Sequence, residues 1–345
     1  MTSRERVKRA MHFQSVDKPA LRHCYSRAGY WEHGDKLNDL FSTLPCDFLE
    51  FSRRTAEQPL PTDFDSNGNF HAFKTDKWGT VWEYRIFGIA GIAYKRPITS
   101  AEEIANYRLP EPPSLSGPEF DAFAADVRAR KEKGLYTMMP WCNGLYERLI
   151  AIYGDENVLC DIAMDEPEIG KLADALAEYY RVCMERSIKA GCDAVFLGDD
   201  YGSARALLMS PEHWRRFFKP RLKKIFQPAV DAGLDVHFHS CGQISQILPD
   251  LREVGVTSIW PQIPAFNMEE LAARCRELGL AVEVHTDRAY TMTHGTSAEV
   301  RELVKREFET FRMLDGGAWF YIEVDNGFPY ANIEALVETI AEYRR

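Results

Sequence analysis

Short apolar runs alternate with capped amphipathic stretches through the second half of the chain, and this alternation predicts strand-helix pairs. The runs are Asp193 to Leu197, Asp235 to His239, Ser258 to Trp260, Ala281 to His285 and Ala318 to Glu323. They are rich in β-branched and aromatic residues and nearly continuously apolar, as strands covered on both faces should be. Helix starts are marked between them by Ser210 before Pro211, by Asn267 three residues before Glu270, and by Thr296 three residues before Glu299. Gly191, Gly233 and Gly279 stand where helices should end. The first half is less regular, but Ala20 to Cys24, Asp47 to Phe51 and Leu135 to Trp141 read as three further core strands.

Eight parallel strands with helices between them predict an α/β chain built as one (β/α)8 barrel, a fold that typically needs about 250 residues. The chain has 345. The surplus predicts one domain over 1–345 with an insertion at 52–134, between the second and third core strands. Within it, His71 to Ile98 interleaves Thr, Val, Trp, Tyr and Ile with Gly79, Gly88 and Gly91, a pattern of antiparallel hairpins over the barrel mouth. The Pro-rich run Leu109 to Pro118 leads back. A doubly wound sheet is the rival, but no GxGxxG follows a strand.

Composition then narrows the function. Hydrophobic residues at 45% and charged ones at 27% exclude a disordered or fibrous chain. Lys and Arg number 42 against 52 Asp and Glu, so phosphate attraction gives no reason to expect a nucleic-acid partner. The amphipathic N-terminus lacks an apolar signal core and no run of 18 apolar residues follows, so the expected location is the cytoplasm, without a membrane partner. Eight scattered cysteines in such a chain are expected as reduced thiols.

In a parallel barrel the chemistry sits at the C-terminal ends of the strands. Period-two alternation in Asp235-Val-His-Phe-His-Ser-Cys-Gly242 puts His237, His239 and Cys241 on one face. His239 and Cys241 can bind one Zn2+ through nitrogen and thiolate, and catalytic zinc usually takes a third protein ligand. Glu323, Asp325, His285 and Asp287 are the candidates, with Glu323 preferred because a carboxylate on an inner strand is otherwise a costly buried charge. Equally, Glu323 can pair with Arg288, and a strand-end histidine can be a hydrogen-bonded core group. Asp199 and Asp200 end another strand, and like charges this close raise one pKa and leave the other ionised. Either can also cap the following turn. Arg27, in the cluster His23 to Tyr30 after the first strand, suits a carboxylate or phosphate. Trp82 and its aromatic neighbours in the insertion are expected as hairpin core or as a wall over the mouth.

Several short motifs in fixed order extend this reading. They are Asp76-Lys-Trp-Gly-Thr-Val-Trp82, Pro97-Ile-Thr-Ser-Ala-Glu-Glu103, Gly198-Asp-Asp-Tyr-Gly202, Met209-Ser-Pro-Glu-His-Trp214, Lys219-Pro-Arg-Leu-Lys223, His239-Ser-Cys-Gly242 and Gly295-Thr-Ser-Ala-Glu-Val300. Over nearly its whole length the chain resembles the uroporphyrinogen decarboxylase superfamily, which also contains zinc methyltransferases that work with corrinoid proteins. The decarboxylase branch has Arg-Gln-Ala-Gly-Arg-Tyr after the first strand. Here Ser26-Arg27-Ala28-Gly29-Tyr30 lacks one arginine. The methyltransferase branch has the zinc pair that His239 and Cys241 reproduce, plus a cysteine near the end of the last strand. Asn326 stands near that place, just after Glu323 and Asp325.

The resemblance therefore implies a single barrel and a methyltransferase that moves a methyl group between a small substrate and the cobalt of a corrinoid protein, with O-demethylation of a methoxylated aromatic as one form. Zn2+ is expected on His239, Cys241 and Glu323, with Asp199, Asp200 and His237 as catalytic groups. Arg27, Tyr30, Trp82, His285 and Asp287 are expected to bind substrate. The corrinoid is expected on a partner protein, and the chain as monomer or homodimer. A metal-free decarboxylase of a porphyrinogen or other polycarboxylate is the alternative; a non-catalytic tetrapyrrole binder, with His237 or His239 as axial ligand, is a third reading.

Overall fold

The computed structural model describes residues 1–24 and 26–345; Tyr25, in the cluster after the first strand, lies outside them. Among the described residues nine strands form: β1 (Leu21–Cys24), β2 (Ala72–Thr75), β3 (Val81–Tyr84), β4 (Ile92–Lys95), β5 (Ala194–Gly198), β6 (Asp235–Ser240), β7 (Ser258–Pro261), β8 (Ala281–His285) and β9 (Ala318–Glu323). Six of them make one parallel sheet in the order β1-β9-β8-β7-β6-β5. The apolar runs predict these strands because every residue of β5, β6, β7 and β8 is buried, with helices covering the outside. Ser210, Asn267 and Thr296 each cap a helix through the side chain, as their spacing indicates.

The two remaining barrel positions are not regular strands, which corrects the expectation for 47–51 and 135–141. Asp47 donates its N–H to the Leu21 carbonyl at 2.9 Å, and Tyr136 donates to the Asp47 carbonyl at 3.0 Å. The Asp47 side chain takes the N–H of Leu21 at 2.8 Å, so a carboxylate stands where a ladder bond would be. Residues 137–144 run parallel to β5 through bridges at Met138 and Asn143. Pro140 between them has no N–H to donate, which interrupts the ladder. The circle of eight therefore closes as a (β/α)8 barrel with two irregular staves.

The helix Ser3–Met11 plugs the bottom, where Val7, Ala10 and Met11 pack with Ala194, Ala281 and Trp319. The opposite end is left for chemistry. There, β2, β3 and β4 form a separate antiparallel sheet, as the Gly-punctuated run predicts. Asp76 ties it down: its carboxylate accepts from the N–H groups of Trp78 and Thr80, from Trp82 Nε1 and from Arg148. The motif Asp76 to Trp82 is thus a turn, with Gly79 at φ +85°, that clamps the sheet to the helix Leu145–Tyr153. No helix among the described residues is long and apolar enough to cross a membrane.

Candidate active site

The parallel register places the site. Gly198, His239 and Trp260 pair across β5, β6 and β7 at the C-terminal rim. His239 Nδ1 lies 2.8 Å from the Trp260 carbonyl oxygen. A carbonyl can only accept, so Nδ1 carries the hydrogen and, in the neutral ring, Nε2 presents a lone pair. Nε2 lies 3.4 Å from Cys241 Sγ and 3.4 Å from Asp200 Oδ1. Cys241 donates its backbone N–H to Asp200 at 2.7 Å. Asp200, His239 and Cys241 are the one group of three or more His, Cys, Asp or Glu, among the described residues, whose ligand atoms lie within 4.8 Å of one another.

Glu323 lines the same cavity as His239 and faces an arginine. Arg288 sits 3.6 Å from Glu323 and 3.1 Å from Asp325, the ion pair weighed against the ligand role. Burial and the neighbouring Asp325 push the Glu323 carboxyl up. Asn326 borders a separate cleft beside Trp31 and Phe87, away from His239. Burial and Asp200 push the Cys241 thiol up to about 12. Burial disfavours the Asp200 carboxylate, but the neighbouring His239 imidazole and the Cys241 N–H outweigh it and hold the group below its usual range.

The other expected residues separate by depth. His237 is fully buried one layer below, with Nδ1 at 2.8 Å from Ser258 and Nε2 at 3.2 Å from Glu283. Burial keeps its imidazole toward the neutral form. Asp199, fully buried, accepts from the N–H groups of Tyr146 at 3.0 Å and Glu147 at 2.8 Å and from the Tyr201 hydroxyl. It caps the helix Leu145–Tyr153 from another strand rather than the turn that follows its own strand. Tyr30 is buried and donates to Asn38, Trp82 is tied to Asp76, and Arg27 is exposed and paired with Glu57. His285 and Asp287 line a cavity of about 190 Å3 that also touches His239 and Cys241. Asp287 caps the turn at Thr291, and burial with Arg288 nearby pulls the His285 imidazole down to about 3.

A larger cavity, about 550 Å3, opens on the other side of His239. Its walls are Trp141, Phe196, Trp260 and Tyr321, and its rim includes Gly88 to Ala90 from the β3–β4 connection. Two of its charged groups escape the motif reading. Arg22, on β1, donates to Glu283 through Nε at 2.6 Å and through Nη2, and Trp319 Nε1 adds a third bond at 2.8 Å. The signal for it is an arginine in the middle of a buried strand. Glu147 lines the cavity, and its Oε2 is buried without a hydrogen-bond partner. Burial, with Asp200 and Asp199 nearby, pushes its carboxyl up to about 8. No sequence motif marks Glu147.

A parallel barrel whose strand ends gather imidazole, thiol and carboxylate beside an aromatic cavity defines a class of enzyme-like barrels with a rim site. The sequence profile of the uroporphyrinogen decarboxylase (URO-D) family matches residues 85–343, and the chain belongs to that family. No curated protein matches the chain. Among solved structures, a methyltransferase from Methanosarcina mazei shares the fold at 14% identity, with a TM-score of 0.67 and all of both chains covered. A B12-independent methionine synthase from Shewanella sp. W3-18-1 is more remote, at 11% identity and TM-score 0.42, covering 79% of this chain and 72% of that one.

Proposed function

We propose that this chain transfers a methyl group between a small methylated substrate and the cobalt of a corrinoid carried by a partner protein, in one form as an O-demethylase of a methoxylated aromatic. The observation that carries the reading is the rim group itself: the Trp260 carbonyl fixes the His239 tautomer so that Nε2 meets Cys241 and Asp200. That donor set of N, S and O fits Zn2+ held by His239, Cys241 and Asp200, with Glu323 as the alternative carboxylate. The zinc would supply Lewis acidity toward the heteroatom bearing the methyl group, and the corrinoid cobalt the methyl acceptor. The Methanosarcina mazei protein that shares the fold is itself described as a methyltransferase, which agrees with this direction.

The chain's own residues do the rest. Glu147, kept protonated at neutral pH by burial and lining the cavity with Oε2 unpartnered, would give a proton to the oxygen that loses its methyl group. Asp199 positions Glu147 by holding its N–H. The aromatic walls exclude water and give a flat ring its surface.

The decarboxylase reading is favoured by the family's own description, but the cavity's charge opposes it. Arg22, Arg27 and Arg288 are paired with Glu283, Glu57 and the Glu323 and Asp325 carboxylates respectively. Beyond the vacant Nη1 of Arg22, which can meet one carboxylate, no surplus of positive charge is left for a polycarboxylate.

The test combines elemental analysis with a transfer assay. One zinc per chain, lost in His239→Ala and Cys241→Ala, together with methyl transfer from a methoxyarene to a reduced corrinoid protein, is the expected result. Carbon dioxide release from a porphyrinogen without added metal, and no methyl transfer with any ether, amine or thiol, would overturn it.

A further inference from the structure

We propose that Arg22 anchors an anionic end of the substrate and that the substrate is therefore an aromatic carboxylate, an inference that rests on the methyl-transfer reading only for what happens at the far end of the same cavity. Two of the three guanidinium nitrogens are held by Glu283. The third, Nη1, makes no hydrogen bond among the described residues, and the side chain keeps 14% exposure where it borders the cavity. A guanidinium deep in a barrel with a vacant pair of N–H donors is built for an acceptor, and a charged oxygen makes the strongest such bond.

The group is also held rigid. Its central carbon lies 4.1 Å from the ring centre of Tyr321, 5.4 Å from Phe196 and 5.5 Å from Trp260. Stacking of this kind, with the Glu283 bonds, fixes the plane before any ligand arrives, so little order is lost on binding. Trp260 also carries the His239 ring, 4.1 Å away. Arg22 and the rim group thus lean on one indole and border the same cavity. At the mouth the Arg288 guanidinium is taken up by Glu323 and Asp325, so no free cation there, among the described residues, competes with Arg22 for an anion. An arene acid is consequently turned acid end down onto Arg22, with its opposite substituent toward His239. Arg27, which sequence motifs single out for this task, is at the exposed rim and already paired with Glu57.

Binding to the metal-free full chain tests this without requiring any transfer. Isothermal titration with 4-methoxybenzoate and the neutral, similarly shaped 4-methoxybenzamide should show the acid binding about tenfold or more tightly. The preference should vanish in Arg22→Lys, which keeps the charge beside Glu283 but loses the fork. It should also vanish in the double variant Arg22→Met/Glu283→Met, which leaves no buried charge alone and so guards against a folding failure. Equal binding of acid and amide, a preference surviving in both variants, or no binding of either ligand would overturn the proposal. An intact preference in a protein that transfers no methyl group would instead remove the functional reading and leave the anchor standing.

Discussion

His239 and Trp260 sit side by side in the parallel register of β6 and β7, and the histidine gives its Nδ1 hydrogen to the tryptophan's own carbonyl at 2.8 Å. A backbone oxygen therefore decides which imidazole nitrogen faces Cys241 and Asp200. Because the register is fixed by the buried strands, the tautomer is fixed by the fold rather than by a neighbouring side chain.

The same geometry predicts which carboxylate completes a metal site. Asp200→Asn should lower zinc affinity by about 10- to 100-fold, while Glu323→Gln should leave the stoichiometry at that of the parent, because Glu323 is engaged with Arg288. Competition with a chromophoric chelator measures both. Loss of zinc in Glu323→Gln with Asp200→Asn unaffected would reverse the assignment.

Glu147 should behave as an acid whose proton matters. With its carboxyl pushed up to about 8 by burial and by Asp200 and Asp199, it is protonated at neutral pH and ionises above that value, so the rate should fall on the alkaline side. Glu147→Gln should reduce kcat by about 10²- to 10⁴-fold with little change in KM, and should abolish that alkaline fall. A variant with parental kcat would show that the carboxyl does not act in the reaction.

The barrel's second half was legible because its strands are buried on both faces and their helices start with side-chain caps, both local signals. The 47–51 and 135–141 segments read as strands but are held by Asp47 and interrupted at Pro140, effects of single residues that an apolar pattern does not report. His239 and Cys241 are two residues apart, so their partnership is written in the sequence. Asp200 reaches them from the neighbouring strand, and Glu147 comes from a helix start beyond an irregular stave. Those juxtapositions depend on register and closure, which spacing does not encode. Arg27 and Tyr30 match a motif, yet the motif's charge faces the rim while Arg22 holds the floor.

Close packing at Gly198 offers a purely steric check on the cavity wall. A Cβ there would fall 1.8 Å from the Trp141 ring, which packs on this backbone only because the glycine leaves room. Gly198→Ala should expel Trp141 from the wall, raise KM for an aromatic substrate and change the tryptophan fluorescence, with a stability cost of about 1–3 kcal/mol from overpacking. Unchanged fluorescence and KM would mean that Trp141 does not contribute a binding surface.

Glu307 gives a pH signature separate from the site. It lies on the helix Ser297–Thr310, almost fully buried, and its Oε2 accepts from the Thr286 hydroxyl at 2.8 Å, directly after β8. Burial, reinforced by Asp287, pushes its carboxyl up to about 8. In the unfolded chain the same group titrates near about 4.3. The folded state therefore binds the extra proton between those values, and stability contributed by Glu307 is fully present below the lower one and declines as pH rises toward 8. Glu307→Gln removes the titration while keeping an acceptor for Thr286. Its stability relative to the parent should accordingly improve between pH 5 and pH 8.5, by on the order of 1–3 kcal/mol. Urea unfolding at the two pH values measures the difference; an equal gap at both would show that Glu307 is already ionised in the folded protein, with the Thr286 bond strong enough to offset its burial.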